Sequence, residues 1–383
     1  MEHRSAIVIG AGIVGLATAR ALAVNGFSVK VFDRNDKATG ASVRNFGMLW
    51  PIGQPSGNLY ERAMRSRSLW KEICDKAGIW YDAAGSLHLA YHDDEWMVLN
   101  ELQELFQNER KTSLLNKEGT LAQSEAVVDT GLKGGLYSPS EMIVDPRQAI
   151  EILPVYLNEI YGVEFYWGKC VSFITDNTAF IGDSEEYEAD LFFVCSGADF
   201  ETLYPEEFRR MQLTKCKLQM MRFASQPGDW RIGPSLCGGL SLIHYTGFKA
   251  ARSLAQLKNR FESEMSDYLD WGIHVMVSQN ESGELTVGDS HEYGLTHDPF
   301  DKAFINTMVI DYLKTFARFK SYQLAQTWNG TYAKMINGDT EIFFSPDKNV
   351  YIINGVGGAG MTLSFGLAEE CISDVIHGIK SFY

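Results

Sequence analysis

Residues 5–33 limit this chain more than any other stretch. Ala6 to Ile9 is a short, apolar, largely β-branched run, which predicts a buried strand. Gly10, Gly12 and Gly15 follow at the spacing G-x-G-x-x-G. Ile13 to Asn25 are small and apolar at helical spacing, and Gly26 suits a helix C-terminus. Ser28 to Phe32 predict a second strand that ends at Asp33. Each part has a mechanical reason. Gly10 allows a tight turn, Gly12 lets the backbone approach a pyrophosphate, and Gly15 lets the helix pack on the strand. The helix start offers free N–H groups and partial positive charge to the diphosphate. Asp33 can take ribose hydroxyls, and an acid there disfavours a 2′-phosphate. Strand, glycines, helix, strand and acid together predict a site for an ADP-containing dinucleotide.

The chain has 383 residues and 45% hydrophobic content, enough for two domains with full cores. No run approaches the roughly 18 apolar residues of a membrane span. The first apolar run is the nucleotide strand itself, so no signal peptide is expected and a cytoplasmic location is. The net charge of −15 argues against a nucleic-acid or anionic-membrane partner. The cysteines (Cys74, Cys170, Cys195, Cys216, Cys237, Cys371) show no C-x-x-C and no metal spacing, and read as reduced core thiols. No metal is expected.

After Asp33 comes a long loop of small residues, from Arg34 through Ser42, Arg44, Asn45, Phe46, Gly47 and Met48 to Pro51. Such a loop after a nucleotide strand is usually functional. Helices are expected over 58–77, 93–110 (with Asp93 as N-cap), 118–124, 146–161 and 301–319. Strands are expected over 86–91, 163–167, 169–174 and 178–181. Residues 189–198 form another, ending in a Gly turn that suits a return to the first sheet. Segments 214–223, 239–243, 272–278 and 284–288 alternate like antiparallel strands of a second domain. Residues 323–332 and 349–354 complete the strands. The last strand runs into Gly355-Val-Gly-Gly-Ala-Gly-Met-Thr and a helix to His377. The second G-x-G-x-x-G there has no following strand and acid, so it reads as a helix N-terminus aimed at an electron-rich group.

Five blocks together resemble the FAD-dependent amine and amino-acid oxidase superfamily of glycine oxidase, sarcosine oxidase and D-amino acid oxidase. They are the nucleotide unit, the loop 42–48, the Val144-Asp-Pro helix start, the Val194-Cys-Ser-Gly-Ala strand and the C-terminal Gly block. Arg44-Asn-Phe-Gly-Met-Leu-Trp-Pro and Gly288-Asp-Ser-His-Glu-Tyr-Gly are similar to a narrower subgroup found with phosphonate-degradation enzymes. The implied fold is α/β. A Rossmann-like FAD-binding domain (1–50, 145–212 and 333–383) carries an α+β substrate domain (51–144 and 213–332) built on a mixed antiparallel sheet.

The resemblance implies roles residue by residue. Gly10, Gly12 and Gly15 would hold the diphosphate and Asp33 the adenosine ribose, with Ile13, Val14 and Arg34 also binding the cofactor. Ser42, Arg44, Asn45, Phe46, Gly47 and Met48 would run along the flavin ring and ribityl chain. Val171 would meet adenine, and Ser196, Gly197 and Ala198 would close over the diphosphate. Gly330 and Gly357, Gly358, Ala359, Gly360, Met361 and Thr362 would face the flavin, where a helix N-terminus stabilises charge on the reduced ring. With no Cys in the Trp328 block, the FAD is expected to be non-covalent.

One departure bears on the substrate. Where the family's amino-acid oxidases carry Trp-x-Gly-x-Arg-Pro, this chain reads Trp328-Asn-Gly-Thr-Tyr-Ala-Lys. Tyr332 stands where the carboxylate-gripping Arg is expected, and Lys cannot reproduce that bidentate geometry. Gly358 aligns with a further Arg of glycine oxidase. The implied reaction passes the α-hydride of a small neutral amine to flavin N5 and leaves an imine to hydrolyse, with O2 or another electron acceptor closing the cycle. An amine carrying an anion such as phosphonate, or an N-methyl amine, fits better than an α-amino acid. A dehydrogenase feeding a quinone or protein, and a flavin-bound protein without turnover, are the alternatives. His274 and His291, on the two strands that present active-site residues in relatives, are the candidate pocket residues with Tyr245, Tyr332 and Lys334. Lys249 and Arg252 read as surface charge.

Overall fold

The computed structural model describes residues 4–182 and 184–379. Its first layer is a six-stranded sheet ordered Ile342–Phe344, Val350–Asn354, Leu191–Val194, Ser5–Ile9, Ser28–Asp33 and Glu164–Trp167. All neighbours run parallel except the first pair. Helices cover one face of this sheet and the small antiparallel sheet Phe173–Thr175, Thr178–Ile181 and Glu185–Glu188 packs on the other, so its central strands are apolar throughout. Ile7, Val8, Phe192, Phe193, Val194 and Ile352 are fully buried. Each contributes about 1.5–3 kcal/mol of burial.

The helix Ile13–Val24 crosses between the first two strands. Helix Pro146–Tyr161 shows how local sequence sets an element. Asp145 accepts the N–H groups of Arg147 (2.9 Å) and Gln148 (3.4 Å), Pro146 occupies the first turn, and Gly162 closes the end in the left-handed region. The last helix, Gly360–His377, packs on Asn58–Ala77 through Trp70. That indole is fully buried, donates to the Met361 carbonyl at 2.8 Å and meets Phe365 edge-on at 5.1 Å.

A second sheet has nine strands among the described residues. Its order is Glu292–Gly294, Leu213–Phe223, Leu285–Gly288, Met276–Gln279, Ser235–Cys237, Ser86–Ala90, Gly134–Ser138 and Ser113–Asn116, with Leu324–Met335 paired along Leu213–Phe223. Its core gathers Phe223, Leu236, Val277, Leu285, Val309 and Phe316, among others.

Several expected elements differ. Residues Gly239–Ile243 form a 3-10 turn and not a strand. Gly238 leaves no room for a side chain against Phe316 and Tyr312, and Tyr312 Oη accepts the Leu240 N–H at 2.9 Å, so these backbone groups bond locally. The strand expected over 169–174 is confined to Phe173–Thr175, because Lys169 and Gly168 donate back to Asp33 and Asn35. Helix Asp93–Phe106 is capped by His92 and not Asp93, with Glu95 closing the capping box. Five of the cysteines are buried free thiols, as expected, but Cys170 is exposed.

Candidate active site

One cavity of about 880 Å³ runs from the first nucleotide turn to the second sheet. At one end the helix Ile13–Val24 opens without a side-chain cap, leaving its first turn available to an anion. Ile13 N–H donates to Ser42 Oγ at 2.9 Å, which ties the long loop to the helix start. Asp33 accepts Ala11 N–H at 2.9 Å through one oxygen and Asn35 N–H at 3.0 Å through the other. A carboxylate has about four acceptor sites, so Asp33 keeps capacity for ribose hydroxyls. Ser196 Oγ donates to Asp199 O at 2.7 Å, and Asn354 donates to Gly197 O at 3.0 Å, which fixes the closing turn.

Of the cofactor residues named from sequence, the wall carries Gly10, Gly12, Ile13, Val14, Asp33, Arg34, Ser42, Arg44, Asn45, Phe46, Met48, Val171, Ser196, Gly197, Ala198, Gly330 and 357–362. Gly15 and Gly47 are not on it. A Cβ at Gly15 would lie 1.8 Å from the Gly10 carbonyl oxygen, and one at Gly47 would lie 1.9 Å from that of Val144. Both glycines permit close backbone packing behind the wall.

The loop 42–48 is held from the second sheet. Trp328 Nε1 donates to the Arg44 carbonyl at 3.2 Å, Arg44 Nη1 donates to that of Asn329 at 3.1 Å, and Ser278 donates to that of Phe46 at 3.0 Å. Opposite, Trp50 N–H donates to Thr362 Oγ1 at 2.9 Å. The two ends of the chain are thereby joined across one cavity. These residues fit a dinucleotide of FAD's kind, whose diphosphate the start of the first helix can take.

The other end is lined by His244, Tyr245, Thr246, Lys249, His274, Met276, Asp289, His291, Tyr332 and Lys334. All five pocket residues named from sequence are here. Neither His274 nor His291 lies on a strand, however. Each sits just before one, Met276–Gln279 and Glu292–Gly294 respectively. Tyr332 and Tyr293 both pair with Cys216 across neighbouring strands, so the phenols flank one row. Lys334 donates to Tyr293 Oη at 3.0 Å and bridges to Val356 of the Gly block. A Cβ at Gly358 would come within 3.6 Å of Tyr332 Oη, so the phenol faces the turn that opens the last helix.

Sequence reasoning missed three titratable residues at this end. His244 follows the unexpected 3-10 turn, and Asp289 stands inside a motif quoted only for its resemblance. Lys249, read as surface charge, is exposed but lines the same cavity. Asp289 is buried beside two histidines: His274 Nε2 lies 3.0 Å from Oδ1, and His291 Nε2 lies 3.9 Å from Oδ2. Burial pushes the Asp289 carboxyl up, but His291 and His274 outweigh it and hold the group below its ordinary range. Burial lowers His291, with Asp289 opposing and His274 adding to the shift. Burial, then His274, His291, Lys334 and Lys249, drives His244 well below the usual imidazole value. Tyr245 and Tyr332 are raised well above theirs by burial and stay protonated donors at neutral pH.

A family model described as DAO, FAD dependent oxidoreductase, matches residues 5–373. The chain belongs to the DAO family. It is an FAD-dependent oxidoreductase, and FAD is its cofactor. Among solved structures, this DAO-family protein is similar to glycine oxidase from Geobacillus kaustophilus, with TM-score 0.79 and 17% identity over 100% of this chain and 97% of that one. L-alpha-glycerophosphate oxidase from Mycoplasma pneumoniae with FAD bound gives TM-score 0.74 and 18% identity, covering 97% of this chain and 94% of that one. At such identities the likeness concerns the fold.

Among curated relatives, the bifunctional protein MnmC of tRNA 5-methylaminomethyl-2-thiouridine biosynthesis from Pseudomonas syringae is 32% identical over 150 residues. That match covers 38% of this chain and 22% of the relative. Glycerol 3-phosphate dehydrogenase of Caloramator mitchellensis is 25% identical over 308 residues, 78% of this chain and 57% of that protein. The matches thus span between about a fifth and just over half of the relatives' lengths. No helix among the described residues is long and apolar enough to cross a membrane.

Proposed function

We propose that this protein oxidises the C–N bond of a small amine carrying an anion other than a carboxylate, an aminophosphonate or its N-methyl derivative. The observation that carries this reading is the polar end of the cavity. The arginines on the described wall are Arg34, paired with Asp199, and Arg44, which donates to the Asn329 carbonyl. The position where amino-acid oxidases place their carboxylate clamp is Tyr332. In this reading residues 1–50, 145–212 and 333–383 hold the cofactor, and residues 51–144 and 213–332 hold the substrate.

When bound, FAD supplies a two-electron acceptor. The chain's own residues bind the amine, orient its α-carbon toward the last helix and exclude water. Tyr245 and Tyr332 donate hydrogen bonds without carrying charge. His244 and His291, held neutral by their surroundings, favour a neutral amine over an ammonium, the form that can lose its α-hydride. No strong base is required.

Glycine oxidase and iminodiacetate oxidase, which act on C–N bonds by their names, share the fold. The net charge of −15 weighs against a tRNA substrate of the MnmC kind. Incubating the yellow protein with 2-aminoethylphosphonate, its N-methyl derivative, glycine and glycerol 3-phosphate, and assaying peroxide, tests the proposal. The phosphonates should be oxidised in preference to glycine. Oxidation of glycerol 3-phosphate alone would refute the amine assignment. Reduction of a quinone analogue without peroxide would favour the dehydrogenase form.

A further inference from the structure

His244, His274 and His291 come from three separate segments and each place a ring nitrogen within 4.8 Å of the others. Their ring centroids are 3.8 Å apart for His244 and His274, 4.8 Å for His244 and His291, and 5.2 Å for His274 and His291. Two of the three have their outer nitrogens occupied from behind. His274 Nε2 faces Asp289, and His291 Nδ1 lies 2.9 Å from the Gly272 carbonyl. That leaves Nδ1 of His274, which is buried and has no hydrogen-bond partner among the described residues, and Nε2 of His291. The ring of His244 stacks against its neighbours but makes no side-chain hydrogen bond among the described residues.

Three imidazoles thus converge at the polar end of the cavity. Lys334 stands beside them from one strand, and Lys249 from the turn after His244. Tyr245, Tyr293 and Tyr332 are the other titratable groups packed around them, with Cys216 behind the tyrosines. Asp289 is the carboxylate facing the cluster.

We propose that His244, His274 and His291, with Lys334 beside them, form the seat of the substrate's tetrahedral dianion, a phosphonate or phosphate oxyanion. This rests on the reading of the cavity as an amine-oxidase site and names the residues that select its substrate. A carboxylate presents two oxygens and one charge, whereas three ring nitrogens that each carry a proton match a group with three oxygens; with their outer nitrogens turned to Asp289 and the Gly272 carbonyl, His274 and His291 donate inward only as imidazolium. In the empty cluster, burial and the neighbouring positive groups favour the uncharged form of His244 and His291. An arriving dianion reverses that balance, so the seat takes up a proton as it fills. Asp289 acts as a positioning residue that holds His274.

The test uses oxidised holoenzyme without amine. Methylphosphonate is titrated while the flavin spectrum is followed, and calorimetry in buffers of different ionisation enthalpy counts protons. Methylphosphonate and inorganic phosphate should bind at least about tenfold more tightly than acetate or methanesulfonate, with net proton uptake near neutral pH. His244→Gln, at the least buried of the three, should weaken methylphosphonate about tenfold or more and reduce proton uptake, with FAD content and acetate affinity unchanged. Lys334→Gln should weaken binding and leave proton uptake in place.

Equal affinity for acetate, binding without proton uptake, or wild-type affinity in His244→Gln would overturn the proposal. So would a stoichiometric divalent cation in the purified protein whose chelation abolishes anion binding, since the imidazoles would then hold metal. Anion binding with no amine able to reduce the flavin would refute the proposed reaction and leave the seat standing. Amine oxidation with anion affinity unchanged in both variants would do the reverse.

Discussion

His274 and Asp289 face each other as a doubly bonded backbone pair. His274 N–H donates to the Asp289 carbonyl at 3.2 Å, and Asp289 N–H donates to that of His274 at 2.8 Å. Their side chains meet as well, with Nε2 3.0 Å from Oδ1. The backbone therefore sets the side-chain contact, and both groups are buried at one end of the cavity that the nucleotide turn opens at the other. Asp289→Asn keeps the shape and removes the charge. Leaving a buried imidazole with a poorer partner costs about 1–3 kcal/mol, roughly a ten- to hundredfold effect. The loss should fall on amine kcat/KM, while the FAD content of the purified protein stays at the wild-type level. Depletion of FAD in this variant would place Asp289 in the scaffold instead.

Gly12 and Gly15 should respond differently to the same change. A Cβ at Gly12 would meet Ser42 Oγ at 3.1 Å, whereas one at Gly15 would lie 1.8 Å from a backbone oxygen. Gly12→Ala is expected to fold with reduced flavin content, read from the ratio of visible to ultraviolet absorbance. Gly15→Ala must part the helix from its strand, at a cost of about 1–3 kcal/mol or more, and is expected to lower Tm or to be insoluble. Equal effects would undo the division between wall and packing glycine.

His88 gives the fold an acid limit. It is fully buried against Trp50 and Phe248, neither ring nitrogen has a partner among the described residues, and burial pushes its pKa down to about 3. The unfolded chain binds this proton below its ordinary value near 6.5, while the folded chain resists it. Stability therefore falls as pH drops below about 6.5 and continues to fall until the folded value is reached. Between pH 6.5 and pH 5 the loss from this group is about 2 kcal/mol. His88→Leu should flatten the acid limb of Tm against pH. An unchanged acid limb in that variant would show that His88 finds a partner.

Two thiols lie on the cavity wall, and neither suits attachment of a flavin. Cys195 is buried, and burial pushes it up to about 12. Cys170 neighbours Val171 at the end expected for adenine. Precipitation with acid should release the whole yellow colour into the supernatant. Flavin retained in the pellet would show a covalent bond.

The nucleotide unit was legible because every part of it is local. Strand, turn, helix and acid lie within residues 5–33, and the helices 58–77 and 146–161 carried their own periodicity and ends. The substrate end was half legible. Tyr332 and Lys334 stood out as departures from a short motif, and His291 lay in a quoted block. Asp289 lay in that same block without a role, and His244 gave no such signal, since the packing of distant segments brings them to the cluster. The 3-10 turn at Gly239–Ile243 was unreadable because its alternation satisfies strand and buried turn alike. The outcome there is set by Phe316 and Tyr312, more than seventy positions away.

The most direct measurement is an anaerobic titration of the purified yellow protein with N-methyl-2-aminoethylphosphonate, followed at the flavin's visible band. The band should bleach fully at stoichiometric turnover, with glycine far slower. A band that no small amine bleaches, although dithionite does, would contradict it.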